Sequence, residues 1–120
     1  MAFRVKEQVI GATHVVSAAG ELDGGTACQL RAAVDRALDA LPAVVVVDLG
    51  AVTFIDSAGV RAVLDRRAVM SAMDARLIVV AGGERVRTVF ALSGIMDGTV
   101  LHRTLDEALG RDAPRASGTL

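Results

Sequence analysis

An aspartate and a serine, Asp56 and Ser57, stand together where the pattern of the chain changes from strand to helix. Four consecutive valines at positions 44–47 suit a strand that is buried on both faces, whereas Val60 and Val63 recur at helical spacing. We therefore predict Ser57 at a helix N-terminus, where the first backbone amides lack partners and the helix dipole favours a side-chain oxygen or a phosphate. Either Ser57 or Asp56 could cap this helix.

Nucleophilic catalysis is the alternative chemistry for the same hydroxyl. Ser57, Asp97 and His102 occur in the chain order of the α/β-hydrolase triad. However, Ile55 stands where the first glycine of the nucleophile elbow should be, and 120 residues are too few for that fold. We therefore expect a protein that is not an enzyme.

The remaining residues that could do chemistry form no site. His14 and His102 lie far apart, and with the lone Cys28 they make no metal-ligand spacing and no internal disulfide. Gly82-Gly83 is neither a Walker loop nor a dinucleotide fingerprint. No metal and no cofactor are predicted. Cys28 falls off the apolar stripe of its helix, so we expect it to be exposed, with redox sensing as the less favoured role.

Composition argues for one small domain outside the membrane. Hydrophobic residues make up 52% of the chain, but the apolar runs are far shorter than the roughly 20 residues that span a bilayer. The N-terminus lacks the apolar region of a signal peptide, so we expect a soluble, cytoplasmic protein. Thirteen basic and fourteen acidic residues are interspersed, which argues against nucleic acid and membrane as partners.

Alternating strand and helix signals predict an α/β fold. We expect one domain over residues 1–110 and a flexible C-terminal tail at 111–120. The order β-β-α-β-α-β-α-β-α predicts a mixed sheet of four to five strands packed against about four helices. The predicted strands are 3–10, 13–19, the valine strand from 44, 77–81 and 99–101, with a turn at 20–25.

The predicted helices carry start and stop signals. The first starts with a Thr26/Gln29 capping box and ends at Pro42, and the second starts at Ser57. The third contains Val86, Val89 and Phe90 and is closed by Gly94, and the fourth runs from a Thr104/Glu107 capping box through Leu109.

The order of elements, together with motifs at a characteristic separation, resembles that of a known family. The segment Gly20-Glu21-Leu22-Asp23, the valine-rich strand ending in Asp48-Leu49, and Asp56-Ser57-Ala58-Gly59 together resemble a STAS domain. Within that family the chain is most similar to the bacterial anti-sigma factor antagonists, also called anti-anti-sigma factors. The resemblance extends from about Phe3 to Leu109.

The resemblance implies a phosphorylation switch in transcription regulation. Ser57 is the position that an anti-sigma factor serine kinase would phosphorylate, and Ala58 departs from the family by removing an alternative hydroxyl. The unphosphorylated protein would bind that kinase and release the sigma factor, and a phosphoserine phosphatase would reset it. The resemblance implies a monomer or weak dimer that needs no cofactor.

The same resemblance indicates a partner-binding surface around the serine. Its predicted residues are Glu21, Asp23, Asp56, Ser57, Ala58, Gly59 and Arg61.

Several of these residues also have plain structural interpretations. Glu21 and Asp23 could be solvated turn residues, and Arg61 could form an i,i+4 pair with Asp65. Gly59 could permit a close backbone approach or simply begin the helix. Outside this set, Asp48 is expected to hold the 53–57 loop through hydrogen bonds.

One alternative function remains within the same family. The domain could be a non-catalytic STAS subunit or scaffold of a transport ATPase or a stress-sensing complex. In that case binding matters, and phosphorylation of Ser57 need not occur.

Overall fold

The computed structural model describes residues 2–92 and 100–110. Its strands are β1 (Arg4–Ile10), β2 (Thr13–Leu22), β3 (Val44–Ile55), β4 (Arg76–Val80) and β5 (Val100–His102). Its helices are α1 (Ala27–Asp39), α2 (Ser57–Leu64), α3 (Arg67–Ala72), α4 (Glu84–Leu92) and α5 (Leu105–Ala108). The α/β class is confirmed, and so is the predicted order of elements apart from one additional short helix, α3.

The strands form one mixed sheet in the order β1-β2-β3-β4-β5. Strands β1 and β2 are an antiparallel hairpin, and Gly11 at its turn has a φ of 62°, a conformation that glycine adopts without strain. Strands β2 to β5 are parallel neighbours. Their carboxyl ends therefore meet at one edge of the sheet, and that edge carries the start of both α1 and α2.

The valine run is apolar throughout because both faces of the sheet are covered. Val45 and Val47 belong to the larger core, under helices α1 to α4, whereas Val46 belongs to a smaller core on the other face. Leu105, the first residue of α5, and Leu109, the residue after it ends, pack against that smaller core. Alternation along a strand sends successive side chains to opposite faces, so a doubly covered strand needs no polar positions.

Strands β2 and β3 are longer than the sequence predicted. The turn expected from Gly20 begins only after Leu22, because β2 pairs with β3 as far as Leu22 and Ile55. Gly20 stays in the strand with a φ of 103°, and the register shifts on either side of it. Glu21 is consequently a strand residue, which corrects its predicted place in the loop.

The helix that begins at Ser57 is interrupted. It ends at Leu64, and Arg66, with φ −97° and ψ 7°, precedes the separate helix α3. Met70 anchors α3 by its buried side chain, and its carbonyl accepts a hydrogen bond from the Ala75 amide. Five helical segments therefore stand in the described residues where about four helices were predicted.

The C-terminal elements agree in part with their predicted bounds. Strand β5 ends one residue later than predicted, and α5 ends one residue earlier. Gly94, Thr99 and the predicted tail at 111–120 lie outside the described residues.

Of the two predicted capping boxes, the one at Thr26 is absent, and the one at Thr104 forms in part. Thr26 makes no side-chain cap, so the Thr26/Gln29 box is wrong. The Thr104 hydroxyl does accept from the Glu107 amide at 3.1 Å, as predicted. The Glu107 carboxylate, however, reaches back to the Arg103 amide at 3.0 Å, and this hydrogen bond is the main cause that lowers the pKa of Glu107.

Candidate functional site at the N-terminus of helix α2

Asp56, and not Ser57, caps helix α2. Its backbone is extended, and its Oδ1 accepts a hydrogen bond from the Gly59 amide at 2.9 Å. Ser57 is the first helical residue and is exposed. Within the described residues its hydroxyl has no hydrogen-bond partner, because Asp56 already satisfies the amide that an N-cap serine would serve. The predicted placement of Ser57 at a helix N-terminus is confirmed.

Gly59 permits a close approach of α2 to the sheet, which decides between its two predicted roles. A Cβ built on Gly59 would lie 2.5 Å from the Leu22 carbonyl oxygen and 2.8 Å from Cγ1 of Ile55. The Asp56 amide also donates to the Leu22 carbonyl, at 3.3 Å. The first turn of α2 is therefore fixed against the ends of β2 and β3, with Ser57 on its outer side.

The ends of β2 and β3 bring the two acidic motifs together. Glu21 pairs with Phe54 in the sheet, and Leu22 pairs with Ile55. Asp23 directly follows Leu22, and Asp56 directly follows Ile55, so the two aspartates come at the ends of neighbouring strands. The Glu21 side chain is exposed. The Asp23 carboxylate instead accepts from the amides of Gly25, at 2.9 Å, and Thr26, at 3.2 Å. These bonds give Asp23 a structural role in its own loop.

Arg61 lies one turn along α2 and is exposed, but it does not form the predicted pair with Asp65. Asp65 binds Arg31 of α1 instead, with 2.8 Å between the Arg31 Nε and the carboxylate. A parallel bridge joins Arg66 to Asp35 of α1 at 2.8 Å, and that hydrogen bond raises the pKa of Arg66. The two bridges hold α2 and the start of α3 against α1.

Asp48 does not hold the 53–57 segment, which corrects its predicted role. Its Oδ1 accepts from the Gly50 amide at 2.9 Å, two residues along the same strand. The segment needs no such support, because β3 continues through it to Ile55 and is held there by pairing with β2.

An apolar surface beside Ser57 was missed from the sequence. A groove of about 580 Å³ between α2 and α4 includes Ser57, Arg61, Val89 and Leu92 in its lining. Leu92 is 82% exposed. The sequence places Val89 on the helical stripe but gives no sign that Leu92 stands beside the serine, since α4 and α2 meet only in the folded chain.

A second depression adjoins that groove at Val89. Its volume is about 370 Å³, and its lining includes Phe54, Arg85 and Thr88. Phe54 is 45% exposed at the end of β3. The surface next to Ser57 therefore combines apolar side chains with arginines.

Other chemistry finds little support in the described part of the chain. No group of three His, Cys, Asp or Glu side chains there could hold a metal ion. His102 of the hydrolase alternative lies 3.4 Å from the Glu107 carboxylate, and Asp97 is outside the described residues. Cys28 is exposed, as predicted. Among residues 2–92 and 100–110, no helix has the length and apolar character needed to cross a membrane.

Comparison with known families assigns this architecture. The model of the STAS domain matches residues 4–108. The chain therefore belongs to the STAS domain family, as the motifs indicated. A search of curated proteins found no match.

Solved structures define the kind of STAS domain more closely. An anti-sigma factor antagonist from Mycobacterium paratuberculosis superposes with a TM-score of 0.83 at 30% identity, over 92% of this chain and 96% of that one. SpoIIAA, an anti-sigma factor antagonist, matches in its unphosphorylated form with a TM-score of 0.68 at 28% identity, over 92% and 96%. The phosphorylated form of the Bacillus cell fate determinant SpoIIAA gives 0.67 at 30%, over 92% and 98%. The fold is that of an anti-sigma factor antagonist.

Proposed function

We propose that this protein is an anti-sigma factor antagonist switched by phosphorylation of Ser57. Unphosphorylated, it binds an anti-sigma factor serine kinase and so releases a sigma factor; phosphorylated, it does not bind. The observation that carries the proposal is the exposed Ser57 hydroxyl, which has no hydrogen-bond partner in the described residues because Asp56 caps the helix. The phosphorylated state of a structural relative supports it.

The site can accept a phosphate without unfolding the domain. A phosphate adds about −1.5 to −2 charges at neutral pH. At the first residue of α2 that charge meets the positive end of the helix dipole, which stabilises an exposed anion by about 0.3–1 kcal/mol. Asp56 opposes it, but the Asp56 carboxylate already accepts from the Gly59 amide. The fold should therefore survive modification.

A partner surface would tolerate the same phosphate far less well. In the proposed complex the partner covers Ser57 and the apolar groove beside it. The phosphate must then give up water, and an unpaired buried charge costs several kcal/mol. Each 1.4 kcal/mol changes a dissociation constant tenfold, so a cost of several kcal/mol weakens binding by orders of magnitude. The phosphate therefore switches binding to the partner.

The residues of the proposed contact surface differ in whether a partner can reach them. Glu21, Ser57 and Arg61 are exposed and can meet a partner directly. Gly59 is buried and Asp23 is committed to its loop, so both act by positioning the surface. The protein is then substrate and ligand in turn, does no catalysis and needs no cofactor, while a phosphoserine phosphatase reverses the modification in the cytoplasm.

The test is a comparison of partners captured from a lysate on wild-type and Ser57→Asp baits. Ser71→Asp is the matched control, because Ser71 is an exposed serine on α3, and circular dichroism checks that each bait is folded. We expect a histidine-kinase-like ATPase on the wild-type and Ser71→Asp baits and its loss from Ser57→Asp. A transport ATPase or a large scaffold held equally by all three would support the STAS-subunit alternative instead.

A further inference from the structure

Ser57 and Arg61 of helix α2 both line the groove between α2 and α4. Both residues are exposed. They are four positions apart in one helix, where Cβ atoms lie about 5–6 Å from each other. Side chains on a helix lean toward its N-terminus, so the Arg61 side chain is directed over the turn that carries Ser57.

The guanidinium of Arg61 is available for a new partner. Within the described residues it has no hydrogen bond or ion pair. Asp65, the carboxylate that helical spacing would offer it, is bound to Arg31 of α1 at 2.8 Å. The cross-helix bridge therefore leaves Arg61, one turn from the serine, without a carboxylate partner in the described part of the chain.

We propose that Arg61 is the phosphate-binding residue of this chain. Given the proposed phosphorylation of Ser57, on which this proposal rests, the guanidinium of Arg61 binds the phosphate on the same helix, α2. Guanidinium and phosphate match as a charge-assisted, bidentate pair, which is stronger than a neutral hydrogen bond. The pair also offsets the repulsion between the phosphate and Asp56.

Phosphorylation then changes two features of the partner surface at once. It adds an anion at Ser57, and it withdraws the Arg61 guanidinium from any acidic group of the partner. A partner with an acidic group at this point then meets an ion pair of net negative charge, because the phosphate carries about −1.5 to −2 charges and the guanidinium only one positive charge. The switch consequently does not depend on burial of the phosphate alone.

The charged groups around the phosphate come from several elements. Arg61, Asp65 and Arg67 line the groove that contains Ser57, and Glu84 and Arg85 of α4 line the adjoining depression. Asp56 precedes Ser57 in the chain, and Glu21 and Asp23 lie at the end of the neighbouring strand β2.

The experiment is a ³¹P NMR pH titration of protein that carries phosphoserine at position 57, incorporated during synthesis. The second pKa of free phosphoserine is about 6. A nearby cation favours the dianion, so Arg61→Gln should raise the phosphate pKa by roughly half a unit relative to the unsubstituted phosphoprotein. Arg61→Lys should recover part of that difference.

Arg76→Gln is the matched control. It removes the same charge from an exposed residue at the start of β4, at the opposite edge of the sheet. Equal phosphate pKa values in the Arg61→Gln and Arg76→Gln phosphoproteins would overturn the inference. Because no kinase is used, the titration succeeds or fails independently of the proposed function, which the lysate capture tests by itself.

Discussion

Helices α1 and α2 begin side by side at the ends of two parallel strands, yet they use their hydroxyl groups in opposite ways. At α1 the Thr26 hydroxyl accepts from the Asp23 amide at 3.0 Å and donates to the Glu21 carbonyl at 2.8 Å. At α2 the Asp56 carboxylate does the capping, and the Ser57 hydroxyl remains exposed. The first hydroxyl is hydrogen-bonded within the fold, whereas the second has no partner in the described residues and is the one that we propose is phosphorylated.

Hydrogen bonding, and not residue type, distinguishes the structural hydroxyl from the exposed one at these two helix starts. Each helix start has one hydroxyl residue and one aspartate: Thr26 with Asp23 at α1, and Ser57 with Asp56 at α2. Residue types alone therefore favour neither start as the functional one. What distinguishes them is which oxygen already has a partner. A modification at Thr26 would break the loop, whereas a modification at Ser57 breaks no hydrogen bond in the described residues.

The largest expected effect is at Gly59, in the first turn of α2. Gly59→Ala should destabilise the protein by about 1–3 kcal/mol, because the new Cβ would lie 2.5 Å from the Leu22 carbonyl oxygen. Gly24→Ala is the control, since a Cβ there meets nothing within 4 Å. Urea unfolding measures both, and equal stabilities of the two variants would contradict the close packing of α2.

Removal of the α2 cap should come next. Asp56→Ala should lower the free energy of unfolding by about 0.5–2 kcal/mol, because the Gly59 amide loses its acceptor. Asp56→Asn keeps a capping oxygen and should stay close to wild type. If thermal unfolding showed the alanine and asparagine variants to be equally stable, Asp56 would not be the effective cap.

The Thr26 hydroxyl provides the counterpart at α1. Thr26→Ala should cost about 1 kcal/mol through the loss of its bonds to Asp23 and Glu21. Gln29→Ala, which would also matter if the capping box existed, should have little effect. A cost for Gln29→Ala that matches the cost for Thr26→Ala in chemical denaturation would restore the capping box.

The smallest expected effect is at the proposed phosphorylation site itself. Ser57→Ala should change the free energy of unfolding by no more than about 0.5 kcal/mol, since it removes an exposed hydroxyl that has no partner in the described residues. Calorimetry beside Thr26→Ala makes the contrast direct. A loss at Ser57→Ala as large as that at Thr26→Ala would mean that the fold uses both hydroxyls.

Local signals predicted much of this arrangement. The valine run predicted β3, the change of period predicted a helix at Ser57, and the motifs around Asp23 and Ser57 indicated the STAS family. Each of these depends on periodicity or on residues close in the chain, and so remains visible without the tertiary structure.

The errors arose where a distant segment competes with a local rule. Pairing between Leu22 and Ile55 extends both strands past the expected turn. Asp65 forms a salt bridge with Arg31 of α1, and not the i,i+4 pair with Arg61. The groove beside Ser57 requires α2 and α4 to meet, and the single-residue signal of Leu92 carries no information about that contact.

The central claim is that modification of Ser57 switches binding and not folding. The direct measurement compares unmodified and Ser57-phosphorylated protein in two assays: the dissociation constant for the captured kinase, and the free energy of unfolding. We expect the dissociation constant to rise by roughly 100-fold or more, while the free energy of unfolding changes by less than about 1 kcal/mol. Equal dissociation constants, or a loss of binding that accompanies unfolding, would contradict the account.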